Sequence, residues 1–372
     1  RDSGFTIFYM GINLGAFFSP LVAGYLGEKI GWHWGFGSAA VGMLLGLFFY
    51  QLSRGKYLGT IGAPPDGELS NKDKKLVLIS LAVLVGIPVL PLLIFAAGGL
   101  PWITGQWGAF TDMVGLWGMT ALIVGIVLFG ALAFLFGQPK EDRGPLAVIL
   151  ILAFIGNIFF WTAFEQAGSS MNVFAKENTD LTLWGLIEGG IPASFFQSVN
   201  PLTILLFGPV FSWLWLFLER KKKDPSTPMK FAIGLWLLGL AFVAMVFGAI
   251  DARDGMAGAH WLLLTYVIYT WGELCLSPVG LSMVTKLAPA RLQSLMMGLW
   301  FFTFALSNLL AGLVARFSER FVPESAGAEA ELSFLIPGLP GFFLMLVVFP
   351  IAAGVLIAAL APMLKKMMHG VR

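Results

Sequence analysis

The sequence predicts an all-α membrane protein with about ten spanning helices, on three observations. Hydrophobic residues make up 58% of the 372 positions and charged residues only 12%, with a mean hydropathy of +0.83, which excludes a soluble domain and a disordered chain. Apolar windows of about 19 residues recur between charge clusters and Gly/Pro turns. Lys and Arg gather on one side of the alternating connections, as they do in loops on the cytoplasmic side of a membrane.

The first span, 5–26, places Phe5, Tyr9 and Asn13 on one face at i, i+4 and i+8. Asn13 either joins two helices by a hydrogen bond or faces a polar cavity. Span 34–52 follows, and spans 76–97 and 113–136 form a pair without charged residues. The fifth span, 146–169, carries Trp161-Thr-Ala-Phe-Glu-Gln-Ala-Gly-Ser-Ser-Met-Asn172, which crowds an acid and an amide into its outer half. Ser198-Val-Asn-Pro201 opens the sixth, 201–218, with Pro201 suited to a first turn and Asn200 to a cap. Span 231–250 is uncharged throughout. The eighth, 261–284, contains Trp271-Gly-Glu-Leu-Cys-Leu-Ser-Pro-Val-Gly280, so Glu273 sits halfway across, and Ser277 shares its face four residues on. Trp300 and Asn308 lie two turns apart on 295–316, and 339–364 closes the series.

Two acids stand out once charges are sorted by side. The cytoplasmic side takes Arg1, Arg54, Lys56, Lys72, Lys74, Lys75, Lys140, Arg143, Arg220, Lys221, Lys222, Lys223, Lys230, Lys286, Arg291, Lys365, Lys366 and Arg372, and the other side only Lys29, Lys176, Arg253, Arg316 and Arg320. Both termini are then cytoplasmic. Most acids also fall at span ends, but Glu165 and Glu273 fall inside spans, and no Lys or Arg does. A charge at mid-bilayer costs at least roughly 2.5 kcal/mol, so each acid is expected to face protein or water and to mark a substrate or ion pathway. Such a carboxylate either holds a proton or pairs with a cation from elsewhere. The chain opens on Arg1, and is expected to begin partway through a longer protein.

Other functions find little support. The single Cys275 excludes an intrachain disulfide framework, and His33, His260 and His369 are too scattered for a metal site. No enzyme constellation or phosphate loop is present, and no basic surface for nucleic acid exists beyond the topology signal.

Together these motifs resemble the proton-dependent oligopeptide transporters of the major facilitator superfamily. Phe8-Tyr-Met-Gly-Ile-Asn-Leu-Gly15 resembles the family's fifth-helix signature, Phe160-Trp-Thr-Ala-Phe-Glu-Gln-Ala-Gly-Ser169 its seventh, Ser198-Val-Asn-Pro201 its eighth and Trp271-Gly-Glu-Leu-Cys-Leu-Ser-Pro278 its tenth. The resemblance implies a partial major facilitator fold lacking its first four helices. Residues 1–53 would end the N-terminal bundle, 54–143 would carry an extra helix pair between the halves, and 144–372 would form the C-terminal six-helix bundle. It implies proton-coupled import of di- and tripeptides across the cytoplasmic membrane, with no cofactor beyond the coupling proton. Asn13, Asn200, Glu273, Ser277 and Trp300 would line the peptide site, Glu165 would couple the proton, and Phe5, Tyr9 and Leu281 would form a gate. The partners would be peptides, protons, lipid and the missing helices. A same-family carrier of nitrate or another small solute, and a membrane enzyme or receptor with structural carboxylates, are the alternatives.

Overall fold

The computed structural model describes residues 2–59, 71, 74, 75, 78, 79, 130–322 and 333–368, with backbone only for 2–9. Residues 2–41 and 138–372 form one compact unit, and 42–137 belong to a second. The expected spans 76–97 and 113–136 lie almost wholly outside the described residues.

Long apolar runs become long helices. In the first unit α1 spans Asp2–Ser19 and continues through π-helical turns at Pro20–Gly24 and Leu26–Ile30. Trp32–Tyr57 form α2, which passes into the second unit. The next span is broken twice: α3 (Lys140–Ile151) leads through a π-helical stretch, Leu152–Asn157, into α4 (Ile158–Phe164). A tighter turn, Glu165–Gly168, then leads into α5 (Ser170–Asn178). A 3₁₀ turn, Ala193–Ser198, precedes α6 (Val199–Arg220), so this helix is entered several residues before the expected Pro201. Then come α7 (Thr227–Asp251), α8 (His260–Leu287), α9 (Gln293–Ser318) and α10 (Leu339–Met367). A two-residue antiparallel pair, β1 (Ser333–Phe334) and β2 (Ile336–Pro337), precedes α10. Eight of the described helical segments are long and apolar enough to cross a membrane.

The helix α7 is the centre of packing, lying against both α8 and α10. Its contact with α8 is made by backbone. A Cβ at Gly272 would come 2.7 Å from the Gly234 carbonyl oxygen, and one at Gly234 would come 2.9 Å from that of Gly272. Lipid tails are as apolar as Leu, so membrane helices associate through such close approach rather than by hydrophobic exclusion. Gly272→Leu is therefore expected to destabilise the bundle by about 1–3 kcal/mol or more, read as a lowered Tm in detergent. Gly312→Ala, where a Cβ meets nothing within 4 Å, should leave Tm unchanged.

This packing fixes α8, and α8 carries Glu273. Pro278 sits one turn beyond, where it withholds a backbone N–H from the helix. On the other side α8 meets α6, α6 meets α1, and α4 meets α9.

Candidate functional site

The site is built around a hydrogen-bonded pair that joins α6 to α8. Asn200 Nδ2 donates to Glu273 Oε2 at 2.8 Å and to Thr270 Oγ1 at 3.0 Å. The Thr270 hydroxyl in turn donates to the Tyr266 carbonyl at 2.6 Å. Capping thus does not explain Asn200, because both its amide protons cross to another helix. Glu273 is only 9% exposed and Thr270 is fully buried. Among the described residues no cation pairs with Glu273, and its second carboxylate oxygen accepts no hydrogen bond. At the basic end, Arg291 bridges Asp142 at 2.6 Å and Lys230 bridges Asp224 at 2.9 Å.

The other expected site residues lie on α8, α9 and α1. Ser277, one turn along α8, has a buried hydroxyl with no hydrogen-bond partner among the described residues, which leaves it a donor to offer. Trp300 is buried on α9, with its ring against Phe231 at 6.1 Å, and a Cβ at Gly280 of α8 would strike it. Asn13 is buried on α1, the helix that lies along α6. Of the expected gate, Leu281 is 40% exposed, whereas the side chains of Phe5 and Tyr9 lie outside the described residues.

Glu165 occupies the break between α4 and the tight turn, a helix interruption of the kind that lines cavities in transporters. Its neighbour Gln166 is the structural member of this polar pair. Gln166 is fully buried, donates to the carbonyls of Thr162 (3.0 Å) and Ala311 (3.1 Å), and accepts from Ser170 Oγ at 2.8 Å. The Glu165 carboxylate has no such ties, and no cation pairs with it among the described residues. The ring of Phe164, the residue before it, lies 4.4 Å from that of Tyr269 on α8, so an aromatic contact joins α4 to the helix that carries Glu273. At the other end of α4, buried Asn157 receives the Trp161 indole N–H at 2.9 Å and donates to Thr303 on α9 at 2.7 Å. Thr270 and Asn157 were not singled out by sequence reasoning. The available signal for Thr270 was a hydroxyl three residues before Glu273, on a neighbouring part of the same helix face.

A second polar cluster closes the opposite end of the α1–α6 contact, away from the basic end. Glu28 accepts the backbone N–H of Ala193 on Oε2 and of Ser194 on Oε1, each at 3.0 Å. These donors open the 3₁₀ turn and have no partner within it. Lys29 donates to the Gly189 carbonyl at 3.2 Å, and Ser198 Oγ donates to that of Phe17 at 2.8 Å. The preceding loop is folded around Asp180, which accepts from Thr182 N–H and hydroxyl and from Trp184 N–H. The Thr182 bonds in particular hold the Asp180 carboxyl below the usual carboxylate range.

A bundle of long apolar helices with a buried amide–carboxylate pair and a carboxylate at a helix break defines a multi-pass transporter of the major facilitator type. The chain belongs to the POT family, whose PTR2 model matches residues 1–330. It is 36% identical to the uncharacterized transporter YclF of Bacillus subtilis over 376 residues, covering all of this chain and 69% of the relative. It is also 36% identical to the peptide transporter YePEPT of Yersinia enterocolitica, over 84% of this chain and 61% of that one. A Lactococcus lactis di-/tripeptide transporter is 33% identical over 83% of this chain and 61% of its own. The chain thus spans 61 to 69% of the length of these relatives. Among solved structures, a peptide transporter POT in complex with sulfate superposes with a TM-score of 0.77 at 33% identity, covering 99% of this chain and 69% of that one. A POT family transporter in complex with 5-aminolevulinic acid gives 0.76 at 30% identity, covering 98% and 70%.

Proposed function

We propose that the protein carrying this chain is a proton-coupled symporter that imports di- and tripeptides across the cytoplasmic membrane by alternating access. The observation that carries this reading is the Asn200–Glu273 pair: a buried carboxylate with one oxygen committed to an amide, the other open, and no cation paired with it among the described residues. A peptide's terminal ammonium is the natural complement, because charge-assisted hydrogen bonds are roughly twice as strong as neutral ones. Asn13, Ser277 and Trp300 would complete the peptide site from three helices, with Glu165 as the proton-coupling carboxylate and Phe5, Tyr9 and Leu281 as the gate. An anionic substrate such as nitrate fits poorly, since like charge at Glu273 would repel it. The di- and tripeptide carriers among the relatives support the same class of substrate. Binding of dialanine, N-acetyl-dialanine and nitrate to the full-length protein, read by thermal shift, tests the reading. Stabilisation by dialanine well above that by N-acetyl-dialanine, and none by nitrate, is expected, and stabilisation by nitrate instead would overturn it.

Alternating access gives the Glu28 cluster a role. In this reading both termini and the basic end are cytoplasmic, so Glu28 seals the outer side and must let go when the site opens outward. Glu28→Ala removes the acceptor of two N–H groups, each bond contributing about 1 kcal/mol. The expected result is at least a tenfold faster labelling of a Ser194→Cys reporter by an impermeant maleimide added outside. An unchanged rate would show that these bonds do not hold the seam.

A further inference from the structure

We propose that Thr270 is a positioning residue that fixes which way round the Asn200 amide faces, so that the amide presents its carbonyl oxygen beside Glu273. This deepens the proposed function and rests on reading Glu273 as the partner of the peptide ammonium.

An Asn side chain can be turned over, exchanging its NH₂ for its carbonyl oxygen, and only its hydrogen-bond partners decide which is presented. At Asn200 two partners vote. Glu273 Oε2 accepts from Nδ2 at 2.8 Å, and Thr270 Oγ1 accepts from the same nitrogen at 3.0 Å. With both amide protons spent, Oδ1 is left as an acceptor, and with it the second oxygen of Glu273. A terminal ammonium carries three donors, so two free acceptors on one hydrogen-bonded pair suit it and would reject a group without donors to give.

The two votes are not equivalent. Glu273 orients the amide only while it accepts. A protonated Glu273, or one turned toward a bound ammonium, could tolerate or favour the flipped amide, since a carboxylic acid can donate to Oδ1. Thr270 has no such freedom. Its proton goes to the Tyr266 carbonyl at 2.6 Å, one turn back along the same helix, so while that bond is kept its oxygen faces Asn200 as an acceptor whatever the protonation state of Glu273. It is also fully buried, which bars water from replacing the bond. The flipped amide would set Oδ1 against the Thr270 lone pairs, or force the hydroxyl to give up the Tyr266 carbonyl, and so forfeits one hydrogen bond either way. Thr270 therefore keeps the ammonium pocket in its acceptor form through the part of the cycle in which Glu273 changes partner.

The test uses the full-length protein in proteoliposomes and compares uptake KM for dialanine with the inhibition constant of N-acetyl-dialanine, which lacks the ammonium. Thr270→Val keeps the shape and removes the hydroxyl; Thr270→Ser keeps the hydroxyl. In Thr270→Val the preference for the free amine is expected to fall roughly three- to tenfold, the range of one hydrogen bond, mainly through KM, and Thr270→Ser should restore it. In an Asn200→Ala background Thr270→Val should change the preference no further, an outcome that a merely structural Thr270 would not give. If Thr270→Val does not fold, Thr270→Ala is measured in its place. A wild-type preference in the hydroxyl-less variant, or an equal additional loss without Asn200, would overturn the role of Thr270. Glu273→Gln separates the two levels: if it leaves the preference intact, the ammonium reading itself falls, and if it lowers the preference while Thr270→Val does not, only the positioning role falls.

Discussion

Replacing Glu165 by Gln is expected to abolish accumulation of dipeptide driven by a proton gradient while leaving exchange of labelled for unlabelled peptide intact. A symporter that moves a proton with a zwitterionic peptide needs one carboxylate that binds ligand and another that changes protonation during the cycle. Glu165 suits the second task. It lies where α4 gives way to a tight turn, is only partly buried, and has no cation beside it among the described residues. The adjacent Gln166 supplies the structural ties to α9, so Glu165 is free to change its state without loosening the helix contact. Gln has nearly the shape of the protonated acid and cannot release a proton. Concentrative uptake should therefore drop to simple equilibration, whereas exchange, which needs no net proton movement, should continue. Normal gradient-driven accumulation by the variant would show that Glu165 is not the coupling group.

The companion substitution, Glu273→Gln, is expected to fail differently. It preserves the shape of the pair with Asn200 but removes the charge that faces the peptide amine. Loss of a charge-assisted hydrogen bond costs about 1.5–3 kcal/mol, which is roughly a tenfold to hundredfold weaker affinity. Binding measured directly, without a gradient, isolates this effect from coupling. The two acids should then part company: Glu165→Gln binds and exchanges but does not accumulate, and Glu273→Gln binds poorly under every condition. Unchanged affinity in Glu273→Gln would remove it from the peptide site.

Much of this was legible in the sequence because the membrane simplifies the problem. A carboxylate at mid-span has few tolerable environments, so Glu273 could be expected to be buried against protein, and it is. Eight of the ten expected spans coincide with described apolar helices for the same reason, although their ends differ by several residues. What the sequence did not show depends on partners far along the chain. Glu28 reads as an ordinary acid at a span end, and only the fold brings it to the N–H groups of Ala193 and Ser194, about 165 residues away. Thr270 reads as one more Thr bonded back to its own helix, a common habit in membranes, and its second contact exists only because α6 crosses α8 at Asn200. Asn200 itself looked like a cap because Pro201 follows it, but the preceding 3₁₀ turn takes over the helix start and frees the amide. The breaks around Asn157 and Glu165 were equally hidden, since π-helical and 3₁₀ turns use the same residue types as the α-helix they interrupt.

The most direct measurement is uptake of labelled dialanine by proteoliposomes containing the full-length protein, with an inward proton gradient imposed and then collapsed. Accumulation above the external concentration, lost when a protonophore is added and blocked far better by excess unlabelled dipeptide than by N-acetyl-dialanine, is the expected result. Accumulation that survives collapse of the gradient, or that nitrate but not dipeptide blocks, would contradict a proton-coupled peptide symporter built on Glu165 and Glu273.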